Sequence, residues 1–174
     1  MSRIDSAVTL YRRDNKPKLD QLLAWYAELP TLERAIWAAS HGLDQRERRH
    51  PHQRRLKKDA LDIASAALLA RVNEIAAAKA FEELLRVVAE EAGRIRALGP
   101  LYVYDTALRI GAKLSVSPAV VYLHAGTRAG AKAIGIDSRR EKITVAELPE
   151  PFRVLSPHEV EDALCIYKGL LSKT

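Results

Sequence analysis

One cysteine among 174 residues leaves no pair for an internal disulfide and too few thiols for a cysteine-rich zinc site. Long apolar runs are missing as well. No stretch of about 18 apolar residues exists, so no transmembrane helix is expected. The opening residues, Met1-Ser2-Arg3-Ile4-Asp5, have no apolar core of the signal-peptide kind. These absences favour the cytoplasm and no membrane partner. Also absent are a Walker loop, a Rossmann fingerprint, an H-E-x-x-H pair and a zinc-deaminase signature, which excludes several common enzyme classes. No cofactor and no metal site is expected.

What is present suits a compact globular fold. Hydrophobic residues make up 48% of the chain and charged residues 29%, too apolar a mixture for a disordered chain. There is no fixed-period repeat and no long linker, so one domain over residues 1–174 is the simplest organisation. A division into an N-terminal part (1–92) and a second half (93–174) is the natural substructure.

The net charge is +6, from 28 Lys and Arg against 22 Asp and Glu. Between Arg46 and Lys58 stand seven basic residues and one acid, Glu47, so this window alone carries 7 − 1 = +6. The remaining 21 bases face 21 acids. A cluster of that kind neutralises phosphates and releases their counterions. The alternative is a solvated basic loop with no partner.

The pattern of apolar residues is mostly helical, which predicts a mainly α, compact multi-helix domain with at most one short strand or hairpin. Leu19, Leu22, Leu23 and Tyr26 fall at helical spacing up to Pro30. Thr31 caps the next helix, which Gly42 closes. Asp59 caps a long helix running through Leu61, Ala64, Leu68, Leu69, Val72 and Ile75. Glu82 to Glu91 forms another, with Leu84, Leu85 and Val88 inward, and Gly93 stops it. Gly99-Pro100 starts the following helix. Ser117-Pro118 predicts a short helix closed by Gly126, and Thr127 caps one more, ending at Gly135. Residues 142–147 alternate polar and apolar and are the strand candidate. Ser156-Pro157-His158-Glu159 has the form of a capping box and opens a terminal helix carrying Val160, Leu164, Ile166 and Tyr167.

Four constellations bear on chemistry. In Arg48-Arg49-His50-Pro51-His52-Gln53-Arg54-Arg55, the arginine forks suit phosphate oxygens, and Gln53 adds a hydrogen bond to a base or backbone. His50 or His52 is also a candidate general acid or base at a phosphate. In the second, Gly99 opens a helix that carries Tyr102, Tyr104, Asp105 and Arg109. Tyr102 or Tyr104 offers a ring for stacking on a base, and Asp105 and Arg109 stand at ion-pair spacing. In the third, His124, Gly126, Thr127, Arg128 and Gly130 form a glycine turn entering a helix, an anion seat in one reading and a plain helix break in the other. In the fourth, Glu161 and Cys165 share a helix face, where the cysteine is best read as core.

The segment Ile95-Arg96-Ala97-Leu98-Gly99-Pro100 resembles the helix-hairpin-helix module, with Ala97 standing where that family has its first glycine. The resemblance implies that backbone N–H groups at the helix start hold a phosphate. Asp105-Thr106, with Arg109 and Leu114, resembles the aspartate–threonine segment of helix-hairpin-helix DNA glycosylases. It implies that Asp105 supports attack at the sugar carbon. Here Ala107 replaces the family's histidine, and Gly99 lies closer to the aspartate than in that family. The peptides 104–112, 121–128 and 161–168 are similar to a family of small bacterial proteins, a resemblance that supplies no mechanism.

Three functional readings follow. The first is a nucleic-acid-binding protein, for DNA or RNA, that contacts the phosphate backbone. Its contacts would be Arg48, Arg49, His50, His52, Gln53, Arg54 and Arg55 from the loop. Gly99, Tyr104, Arg109, Gly126, Thr127 and Arg128 would add contacts from the helix starts. The second is an enzyme on nucleic acid, a glycosylase, lyase or phosphoryl-transfer enzyme, with Asp105, His52 and His124 as catalytic candidates. The third is a non-enzymatic regulator whose basic loop docks on an acidic protein. The oligomeric state is open in all three.

Overall fold

The computed structural model describes residues 2–172, except for the His52 side chain. Ten α-helices and one two-stranded antiparallel hairpin are present among the described residues, so the fold is mainly α. The first five helices are α1 (Arg3–Asp14), α2 (Lys16–Glu28), α3 (Leu32–Ser40), α4 (Lys58–Ala70) and α5 (Val72–Ala77). Then come α6 (Phe81–Ala92), α7 (Pro100–Leu114), α8 (Ala125–Ala133), α9 (Pro157–Ile166) and α10 (Lys168–Leu171). Strand β1 (Val121–Tyr122) precedes α8, and β2 (Lys142–Ile143) follows it. No described helix is long and apolar enough to cross a membrane.

The chain forms two compact units. One is continuous, residues 21–117, and the other joins residues 1–20 to 118–174.

In the continuous unit, α3 packs on α7 and α4, and α6 packs on α7 and α4. Thr31 caps α3 as its sequence predicts, its hydroxyl accepting from the Arg34 N–H at 3.1 Å. Ala35, Ala38 and Ala39 are fully buried, and their small side chains let neighbouring helices come close to α3. Ile36, Leu61, Leu68, Phe81, Leu84 and Ile110 fill the core around them. The long helix expected from Asp59 onward is two helices. Lys57, not Asp59, is the N-cap of α4; Asp59 lies inside the first turn, where its charge opposes the positive end of the helix dipole. The break falls at Arg71 (φ −106°, ψ 21°). Its guanidinium binds Glu74, Glu90 and Glu91 at 2.6–2.9 Å and ties the start of α5 to α6. Gly93 closes α6 and Gly99-Pro100 opens α7, both as expected.

The second unit is built on α8 against α9, with α1, α10 and the hairpin around them. Its core holds Val8, Tyr11, Val121, Leu123, Phe152 and Leu164. Helix α1 is absent from the sequence reading. It begins at a capping box in which the Asp5 N–H donates to the Ser2 hydroxyl at 3.1 Å and the Ser2 N–H to the Asp5 carboxylate at 2.9 Å.

Three expectations are corrected here. Ser117-Pro118 starts no helix: the chain reaches β1 instead, with Val121 opposite Ile143 and Tyr122 opposite Lys142. The β-branched and aromatic residues at 120–122 suit pairing better than a helical turn. Helix α8 therefore starts after His124, and Gly126 and Thr127 lie within its first turn rather than ending one helix and capping another. The strand expected over 142–147 stops at Ile143. The Glu147 carboxylate accepts from the Thr144 N–H at 2.7 Å and from its hydroxyl at 2.9 Å, which winds Val145–Glu147 into a 3₁₀ turn. The Arg140 guanidinium and these bonds hold the Glu147 carboxyl down at about 2. At α9 the capping box forms as predicted, the Ser156 N–H donating to Glu159 at 2.7 Å. Ile166 is exposed on the last turn of α9.

Candidate nucleic-acid interface

The basic segment is an ordered loop. Gly42 (φ +62°) turns the chain out of α3 in the left-handed conformation that glycine adopts without strain. Asp44 then organises a tight turn, its carboxylate accepting the N–H groups of Arg46 and Arg48 at 2.8 and 2.9 Å. The Tyr26 hydroxyl donates to the Leu43 carbonyl at 2.7 Å, and the His50 N–H to that of Gly42 at 2.7 Å. Pro51–Gln53 makes a 3₁₀ turn. Arg49 is half-buried and donates to the Leu56 carbonyl at 3.0 Å.

This scaffold leaves most of the charge outside. Arg46, Arg48, Arg54, Arg55, Lys57 and Lys58 are exposed. Arg48 reaches Asp44 at 3.3 Å, and Lys58 lies 3.9 Å from Asp62. Among the described residues, Arg46, Arg54, Arg55 and Lys57 have no ion-pair partner. Glu47, the acid of the window, is engaged by Arg34.

Beside the loop is an open pocket of about 170 Å³, lined by Gln53, Leu56, Gly99, Leu101, Tyr102 and Asp105. Gln53 is 3% exposed, and among the described residues neither its Oε1 nor its Nε2 meets a hydrogen-bond partner. An orphaned buried amide of this kind costs about 1–3 kcal/mol. The carboxamide lies against Gly42, where a Cβ would come within 1.5 Å of Oε1. Gly99 is the N-cap of α7 and offers no side chain, while a Cβ there would meet nothing within 4 Å. The first-turn N–H groups of a helix have no acceptor within it; in α7 Pro100 has none, which leaves those of Leu101 and Tyr102, both residues that line this pocket.

Tyr102 anchors the pocket wall by donating to the Ser40 carbonyl at 2.8 Å, and burial pushes its phenol up to about 12. Asp105 and Arg109 stand 3.8 Å apart, as their spacing predicts. Arg109 is 4% exposed, and its Nη1 has no hydrogen-bond partner among the described residues. Both charges act on Tyr26, whose hydroxyl is raised first by burial, with Arg109 opposing and Asp105 adding.

Fold and sequence thus bring Gln53, Gly99 and Asp105 to one pocket, with Tyr102 in its wall and Arg109 beside it. Tyr104 points elsewhere: it is buried, its ring edge-on to Phe81 at 5.8 Å. His50 is half-buried within the loop, and the His52 side chain lies outside the described residues. Sequence reasoning missed Trp37 and His41. Trp37 is partly exposed, with the Arg34 guanidinium 4.3 Å from the centre of one face and His41 beside it. His41 bridges the Trp37 carbonyl at 2.8 Å and Asp62 at 2.9 Å, and that contact holds the Asp62 carboxyl below its ordinary range. The spacing Arg34, Trp37, His41 on one helix face was the available signal.

The remaining candidates belong to the other unit. The Thr127 hydroxyl donates to the Glu161 carboxylate at 2.6 Å, and His124 Nδ1 lies 3.3 Å from the same oxygen. The first turn of α8 therefore faces a carboxylate of the protein itself. Gly126 and Gly130 serve helix packing: a Cβ would come within 2.4 Å of the Cys165 sulfur at the first and 2.2 Å of the Leu164 carbonyl oxygen at the second. Arg128 donates to the Ser138 carbonyl at 2.5 Å. Among the described residues, no group of three or more His, Cys, Asp or Glu side chains is placed to hold a metal ion. No family model, curated protein or solved structure matches the chain.

Proposed function

We propose that the protein binds nucleic acid, DNA or RNA, through its phosphate backbone. The supporting observation is the loop 43–58: its backbone is held rigid by internal hydrogen bonds while Arg46, Arg54, Arg55 and Lys57 remain exposed without carboxylate partners. A backbone already ordered adds no loop-ordering cost when its cations meet phosphates, and each phosphate neutralised releases condensed counterions. The amide-bearing start of α7 at Gly99 adds a backbone contact beside them. Trp37, partly exposed, keeps an aromatic ring at the surface, which Tyr104, in the core, does not.

Fluorescence anisotropy with single-stranded DNA, duplex DNA and RNA over a series of salt concentrations tests this. Replacing Arg46, Arg54, Arg55 and Lys57 together by glutamine is expected to weaken binding at least tenfold at low salt. It should also flatten the slope of log K against log salt by roughly 3, at about 0.7–0.9 for each phosphate that is no longer neutralised. No binding of any of the three at low ionic strength overturns the reading. Capture of an acidic protein in its place would favour a regulator that docks through the same loop.

The pocket supports a second reading, an enzyme acting on nucleic acid with Asp105 at the reacting sugar or base. Product formation from damaged-base, abasic or RNA substrates, abolished in Asp105→Asn with the fold intact, is the outcome it requires.

A further inference from the structure

We infer that Arg34 is a further phosphate contact of this interface, held in reserve by Glu47 until a polyanion takes it over. The inference rests on the nucleic-acid reading above and adds what that reading leaves open, a cation on α3 that the loop's own carboxylate withholds.

Charge, backbone and packing meet at this pair. Glu47 is the one acid of the window 46–58 and stands between Arg46 and Arg48 in the chain. Its carboxylate takes the Arg34 guanidinium, and the two side chains are 63% and 32% exposed. Ion pairs this open to water contribute little, and a phosphate offers a guanidinium the same forked acceptor that a carboxylate does. Exchanging one anion for the other therefore costs little. Glu47 itself stands at φ +55°, in the left-handed region that glycine or asparagine occupies more easily. The turn is made without its side chain. The Asp44 carboxylate accepts the N–H groups of Arg46 and Arg48, and the Asp44 carbonyl accepts that of Glu47, at 2.8–2.9 Å. The residue placed there at a cost is the one whose carboxylate withholds a cation, and backbone strain of this kind collects at switch positions. The Arg34 guanidinium also lies 4.3 Å from the centre of the Trp37 ring. That contact does not involve Glu47, and an arginine stacked on a ring still presents its fork to a phosphate.

The rival is a staple that merely ties the loop to α3. The loop has other fastenings: the Tyr26 hydroxyl donates to the Leu43 carbonyl, and the His50 N–H to that of Gly42. The two roles predict opposite signs. Removing a staple loosens the loop and weakens binding. Removing a competing carboxylate frees Arg34, lifts a repulsion from incoming phosphates and tightens binding.

The full-length protein, Glu47→Gln, Arg34→Gln and the double variant are titrated with a dT decamer by fluorescence anisotropy over a series of salt concentrations. Glu150→Gln is the control: Glu150 is exposed and belongs to the other unit, and its replacement changes the net charge equally. Glu47→Gln is expected to tighten binding roughly threefold, the equivalent of one exposed ion pair, and Glu150→Gln to do far less. Arg34→Gln should weaken binding and flatten the salt slope by about 0.7, the share of one phosphate on a single strand. Its cost should be larger in the Glu47→Gln background, where no carboxylate competes for the guanidinium. In ¹⁵N-edited NMR of the unmodified protein, the Arg34 Nε–H resonance should shift as the decamer is added. Decamer binding that is unchanged or weaker in Glu47→Gln, together with an unmoved Arg34 resonance, overturns the role of Arg34 and leaves backbone binding by the loop standing. No binding by the unmodified protein or by Glu47→Gln at low ionic strength overturns the backbone reading itself. The resonance of the unmodified protein decides the matter even if a variant fails to fold.

Discussion

Gly130 shows how one hydrogen atom for a side chain sets the distance between two helices. A Cβ there would lie 2.2 Å from the Leu164 carbonyl oxygen and 2.8 Å from its carbonyl carbon, both backbone atoms of α9. Backbone cannot rotate aside as a long side chain does, so Gly130→Ala must push α8 from α9. A loss of about 2–3 kcal/mol is expected, at the upper end for overpacked sites. Urea unfolding should show a lower midpoint at unchanged slope. Gly169→Ala is the control: the residue is exposed, no atom lies within 4 Å of its Cβ position, and its effect should stay within about 1 kcal/mol. Equal effects from both substitutions would refute the packing role. Gly42 follows the same logic: its missing side chain makes room for the Gln53 carboxamide.

At the scale of the element, the start of α9 couples helix capping to protonation. Half-buried His158 is pushed below its ordinary value of 6.5, chiefly by burial. Glu159 follows it. Burial opposes ionisation of Glu159, but Lys16 and the Ser156 N–H outweigh it and hold the carboxyl below 4.5. Both shifts act in one direction. Below pH 6.5 the unfolded chain binds a proton at residue 158 that the folded chain resists, so stability falls as pH drops. Below about 4.5 the same holds for residue 159. Thermal unfolding followed by circular dichroism should therefore show a midpoint that declines from pH 7.5 to 5 and again toward pH 4. His158→Gln should remove the first decline and Glu159→Gln should reduce the second. A midpoint constant between pH 7.5 and 5 in the unmodified protein would rule out the histidine contribution.

For the whole molecule, the consequential feature is that residues 1–20 fold with 118–174. Helix α1 contributes Ala7, Val8 and Tyr11 to that unit's core and contacts α9 and α10. Removing residues 1–14 exposes the surfaces these side chains cover. Hydrogen exchange on the truncated chain should show protection reduced over 118–172 to a greater extent than over 58–114. The reverse distribution would mean that α1 is not integral to its unit. A long excursion between the two halves of a core also implies a high loop-closure cost, so this unit is expected to form after its local helices.

Short-range chemistry was legible in the chain itself. Thr31, Gly93, Gly99-Pro100 and the Ser156 capping box mark their helix ends because each makes its bonds within four residues. The seven cations between Arg46 and Lys58 were equally visible, since charge density is a property of the sequence. Signals that competed with longer-range bonds misled: Pro118 announced a helix that strand pairing prevented, and the alternation over 142–147 yielded to the Thr144–Glu147 turn. The spacing of Ile4, Ala7, Val8 and Tyr11 was a helical stripe, but only packing against a core more than a hundred residues away makes it one. Folding alone decided which charges stay exposed, that Thr127 meets Glu161 and that Tyr104 turns inward. It also brought Gln53 and Asp105, 52 positions apart, to one pocket, because their approach depends on how α3, α4 and α7 pack and on no bond between near neighbours.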